Sequence, residues 1–151
     1  MSITIQLDDT ITHTIDQALL EKAIQKTLDF SNRPDVEVTL QLTDDESMRQ
    51  LNQDYRGIDN TTDVLAFNQE YIDPETGHFY LGDIVISVEQ AHRQAEEHHQ
   101  LLNAECALLA VHGTLHLLGY DHAEENEKDT MWHIQEKIID NLQIDFKEDA
   151  K

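Results

Sequence analysis

The chain has 151 residues, 39% of them hydrophobic, and carries 31 acidic against 10 basic side chains for a formal net charge of -21. That length supports one domain with a real core, expected to span residues 1–151, and excludes two comfortable ones. So negative a field repels polyanions at long range, so any nucleic acid must be engaged locally rather than along a basic track.

The opening Ser2-Ile-Thr-Ile-Gln-Leu-Asp-Asp has neither the basic start nor the apolar run of a secretory signal, and no segment reaches the length of a membrane span. A lone cysteine, Cys106, fits a reducing compartment. A soluble, cytoplasmic protein is expected, with neither membrane nor DNA as a partner.

Ser2 to Leu7 alternates Ile3, Ile5 and Leu7 with Thr4 and Gln6, the pattern of a half-buried strand. Ile15 to Phe30 places Ala18, Leu19, Ala23, Ile24 and Leu28 at helical spacing, and Asn32, Arg33 and Pro34 break that helix. Val36, Val38, Leu40 and Leu42 return to strand alternation, and Thr43 with Glu46 three residues on reads as a capping box for a helix to about Tyr55. Past Gly57 and Asp59-Asn60 come a short strand over Thr62 to Phe67, turn chemistry at Asp73-Pro74-Glu75-Thr76-Gly77, and a strand from Gly82 to Ser87.

Val88 to His98 is a polar helix. Asn103 is a fair N-cap for residues 104 to 118, which are apolar on nearly every side and belong at the centre of the domain. Glu124 to Leu142 forms a last helix with Met131, Ile134, Ile138 and Leu142 facing inward. This order predicts an α+β fold: a small mixed four-stranded sheet packed on about five helices, one of them buried and central.

That central helix carries His112-Gly-Thr-Leu-His116-Leu-Leu-Gly119-Tyr-Asp-His122. His112 and His116 lie one turn apart on one face, Gly119 lets the chain leave the helix, and His122 can swing back toward them. Three imidazoles hold one Zn2+ and leave a fourth position for water, the arrangement of a catalytic site. Such a metal brings the pKa of bound water to about 7, so hydrolysis by metal-bound hydroxide is the expected chemistry. Nickel, copper and iron also accept imidazoles, and zinc is preferred on geometry and availability.

The spacing is that of the metzincin peptidases, except that Gly113 stands where they carry their catalytic glutamate. Without that carboxylate, a substrate with a better leaving group than an amine is favoured, and a phosphodiester fits. Its developing charge needs a guanidinium. Between Pro34 and Glu127 the cations are Arg49, Arg56 and Arg93. Arg56 ends a helix in a polar turn that feeds a strand and is the chosen candidate, with Arg49 placed to extend a phosphate track; ion pairing with surface carboxylates is the plain alternative for Arg49 and Arg93. Asp63, Asp83 and Asp121 are candidates to orient an imidazole or act as base, against turn or strand-end capping for the first two. Met131 reads as core, and His98, His99 and His133 as solvated or capping residues.

Taken together, the histidine motif, Asn52-x-x-Tyr55-Arg56-x-x-Asp59-x-x-Thr62-Asp63-Val-Leu-x-Phe67 and Gly82-Asp83-Ile-Val-Ile resemble the YbeY endoribonuclease family of rRNA maturation factors, over nearly the whole chain. The resemblance implies a bacterial, zinc-dependent, single-strand-specific endoribonuclease of 16S rRNA 3′-end maturation and ribosome quality control. It places zinc on His112, His116 and His122 and a functional arginine at Arg56. Thr61 stands where proline is frequent and Ala66 where serine is frequent. With so few cations, binding of free RNA is expected to be weak and salt-sensitive, with recruitment to the small ribosomal subunit through basic ribosomal proteins. The alternative function is a non-catalytic ribosome-assembly factor with a structural metal.

Overall fold

The structure is a computed structural model that describes residues 3–120 and 125–142; Asp121 and His122 lie outside the described residues. Its elements are β1 (Ile3–Leu7), α1 (Gln17–Phe30), β2 (Glu37–Thr43), α2 (Asp45–Arg56), β3 (Val64–Ile72), β4 (Phe79–Ser87), α3 (Val88–Glu97), α4 (Leu102–Leu117) and α5 (Glu125–Leu142). The sheet runs β1-β2-β4-β3. β1, β2 and β4 are parallel and β3 is antiparallel to β4, so the mixed four-stranded α+β fold is as the sequence predicts.

Strand periodicity assigns the two faces of the sheet. Val38, Leu40, Leu42, Ile84 and Ile86 turn toward the helical layer and join α1, α4 and α5 in the main core. Val85 and Leu65 turn the other way and pack with Met48 of α2 in a second, smaller cluster.

Three helix starts differ from expectation: α1 begins at Gln17 rather than Ile15, with Asp16 as its cap, whose side chain accepts the Leu19 N–H. Thr43 ends β2, and the cap of α2 is Asp44, whose carboxylate accepts the Ser47 N–H at 2.7 Å. An aspartate caps at least as well as a threonine, and that bond holds its carboxyl below the usual range. Asn103 lies inside α4, where its side chain accepts the Asp16 N–H at 2.8 Å and so ties α4 to the start of α1.

α4 is the packing centre. Buried Cys106, Ala107, Ala110, Val111 and Leu115 surround it with core, and burial pushes the Cys106 thiol up to about 12, an unreactive state. Gly113 shows why no glutamate stands in that position. A Cβ there would lie 2.8 Å from Ile84 Cγ2, itself fully buried, so the helix approaches β4 more closely than any side chain permits. Gly113→Ala is expected to cost about 1–3 kcal/mol of stability by overpacking, read from the denaturant midpoint. A midpoint at or above that of the wild type would refute the close-contact account.

Glu105, one of the few polar groups of this helix, is 3% exposed. Burial raises its carboxyl above the usual range, opposed by His98 and Gln94. The folded state then holds a proton that the unfolded chain has released, so stability falls as pH rises from the unfolded value through the folded one. Glu105→Gln is expected to raise Tm more at about pH 7 than at about pH 4, and the reverse order would show that the charge is compensated in place.

Candidate active site

Helix α4 ends where the sequence expects. Leu118 caps it, and Gly119 takes φ +101, a conformation costly for other residues, to turn the chain away. On the last turns His112 and His116 point their rings at each other, with Nε2 atoms 3.1 Å apart and ring planes at 71°. Nitrogens of two ligands on one tetrahedral zinc, each at about 2.0–2.1 Å, stand roughly 3.3 Å apart, so the pair is spaced to share an ion. His112 Nδ1–H donates to Gln135 Oε1 at 2.6 Å. A side-chain carbonyl can only accept, which places the proton on Nδ1 and leaves Nε2 with its lone pair.

Gln135 is the residue that the sequence reading missed. It sits on α5, 6% exposed, four residues after Met131 and three before Ile138, both buried. A polar side chain on that apolar stripe was the available signal.

The imidazoles face a cavity of about 460 Å³ walled by Val64, Ala66 and Asn68 of β3, the last strand of the sheet, and by Thr62, Asp63 and Arg56. Arg56 arrives from the last turn of α2, and Asn52 explains its placement. Buried at 2% exposure, Asn52 donates to the Asn60 carbonyl at 2.9 Å and holds the following loop against the helix. Thr61 is fixed by hydrogen bonds: its N–H donates to Asn60 Oδ1 and its hydroxyl to Asp45.

Carboxylates claim the neighbouring arginines. Arg49 is bound by Asp59 at 2.7 Å and by Glu46, and Arg93 by Asp45 at 2.8 Å. The ion-pair reading of these two is therefore the observed one, and the engaged Arg49 is not held ready for a phosphate track. Among the described residues no ion pair engages Arg56, which is exposed in the cleft.

The three aspartates separate. Asp63 lines the cleft while its Oδ1 accepts the Val64 N–H at 2.7 Å, so it also caps the strand. Asp83 lies on the other face of the sheet, because Gly82 and Ile84 on either side of it pack on α4. There it accepts from Tyr80 and, at 3.1 Å, from Gln69, and supporting a ligand imidazole is not a role open to it. Asp121 falls outside the described residues, as does His122, the third histidine of the motif. Among the described residues no group of three metal-binding side chains is formed. Met131 is buried in the core.

Among the described residues no helix is long and apolar enough to cross a membrane. The family model described as "Endoribonuclease YbeY" matches residues 3–143. The chain is 44% identical over 136 residues to the Endoribonuclease YbeY of Heliobacterium modesticaldum, covering 83% of this chain and 82% of the relative. It is 45% identical over 132 residues to that of a Sulfurihydrogenibium species, covering 85% and 84%. The solution structure of TM1509 from Thermotoga maritima superposes with a TM-score of 0.63 at 28% identity, over 93% of this chain and 88% of that one. By sequence along most of its length and by fold, the chain belongs to the YbeY endoribonuclease family.

Proposed function

We propose that the protein is a zinc-dependent endoribonuclease that hydrolyses single-stranded RNA in this cleft, acting in 16S rRNA 3′-end maturation and ribosome quality control in the bacterial cytoplasm. The observation that carries the reading is the pairing of two converging imidazoles with a guanidinium that, among the described residues, no carboxylate engages in an ion pair, facing one cavity. In a protein of charge -21 such a cation is scarce, and a phosphodiester is the ligand that uses it.

His112, His116 and His122 would hold the ion. When bound, it supplies Lewis-acid polarisation of a phosphoryl oxygen and acidification of water. The remaining work belongs to the chain. Gln135 keeps His112 in the tautomer that presents Nε2, Arg56 stabilises charge growing on the phosphoryl oxygens, and Asp63, which lines the cleft, or Asp121 carries a proton. Gly113 leaves no carboxylate in the peptidase position. Basic ribosomal proteins are the fitting recruiters for so acidic a surface.

The test is cleavage of a single-stranded rRNA fragment by protein of known metal content, against the same fragment held in duplex. Cleavage confined to the single strand and abolished by chelation is the expected result. Faster hydrolysis of peptides or small phosphodiesters would assign the cleft to a different ester or amide.

A further inference from the structure

A second cavity, of about 650 Å³, opens on the opposite face of the sheet and shares Ala66 and Asn68 of β3 with the cleft. The end of α2 serves both: Arg56 enters the cleft, while Tyr55 walls the second cavity. Tyr55 is 69% exposed for an aromatic ring, and it meets the Phe67 ring, with centroids 5.0 Å apart and planes tilted by 56°. The floor is polar and uncharged at Thr39, Gln41 and Gln69, with Asp83 held between Tyr80 and Gln69, and among the described residues no lysine or arginine lines it.

We infer that this cavity is a subsite for an unpaired nucleobase of the RNA strand whose phosphodiester lies at Arg56. The inference rests on the nuclease reading for its ligand. A cavity without cations does not select a phosphate, whereas an exposed ring beside amide groups and a fixed carboxylate matches the flat face and polar edge of a base. Stacking also resolves the charge problem. A protein that cannot draw RNA by neutralising its backbone gains affinity from the bases, each worth about a factor of five to a hundred or more on an aromatic platform. Asp83 accepts from exocyclic amines, so cytosine is preferred to uracil, which has none.

The experiment is equilibrium binding of end-labelled oligo(rC) and oligo(rU) decamers to the metal-loaded protein at low ionic strength, by fluorescence anisotropy. Tyr55→Ala is expected to weaken oligo(rC) binding roughly tenfold and Tyr55→Trp to keep it. The wild type is expected to prefer oligo(rC), and Asp83→Asn to narrow that preference. Binding of Tyr55→Ala within about twofold of wild type overturns the subsite, as does a wild type that binds neither decamer. Because binding is read without cleavage, a protein that binds through Tyr55 and cleaves nothing would refute the nuclease reading and sustain the subsite.

Discussion

Arg56→Ala is expected to lower RNA cleavage by roughly 10²–10³-fold with metal content unchanged, while His116→Ala loses both cleavage and metal. The contrast follows from where the two side chains come from. His116 projects from the buried α4 with its Nε2 3.1 Å from that of His112, so its removal takes away one of the proposed ligands. Arg56 stands on the exposed end of α2 across the cleft, and among the described residues no ion pair binds it. Its loss leaves α4 untouched and removes only the charge proposed to meet the phosphoryl group. Arg56→Lys, a point charge without the planar fork, is expected to recover part of the rate. Cleavage that survives both alanine changes would belong to a contaminating nuclease and would favour an assembly factor whose metal knits helices together. Parallel preparations with metal analysis and a single-turnover assay separate these outcomes.

Gln135→Leu is expected to weaken metal binding by roughly 10–100-fold, measured by competition with a chromophoric chelator. Leucine keeps the apolar packing of α5 but takes away the acceptor of the His112 Nδ1–H bond, so the imidazole is free to rotate and to place its proton on Nε2. Gln135→Glu keeps an acceptor in the same place and is expected to bind metal at least as tightly as the wild type. A Gln135→Leu protein with wild-type metal affinity would show that packing alone orients the ring. Loss of affinity in both variants would point to a general role in docking α5 instead.

The local codes of the chain were readable where one principle dominated. Alternating Val38, Leu40 and Leu42, the stripe of α1 and the apolar run of α4 each have a single physical solution, and the strands and helices form there. β3 extends to Ile72, beyond the expected Phe67, since its later residues are exposed and carry little apolar signal. The spacing of His112 and His116 alone sets their imidazoles one turn apart on one face, but Gln135 is twenty-three residues from its partner and only the docking of α5 brings them together. Asp83 failed for a related reason. Its type fitted the chemistry, while its parity on β4, fixed by the flanking Gly82 and Ile84, sends it to the far face. Arg49 and Arg56 differ in sequence by position alone, and what divides them is the reach of Asp59.

β3 closes the sheet as an edge strand, and its Val64, Ala66 and Asn68 wall the cleft. A strand left at the margin of a sheet invites another molecule to pair with it, and most proteins blunt such margins by covering them. Here the cover is electrostatic. Copies bearing a charge of -21 repel one another before their strands can meet, so the composition that opposes polyanions at long range also lets the margin beside the cleft stay open without joining one molecule to the next.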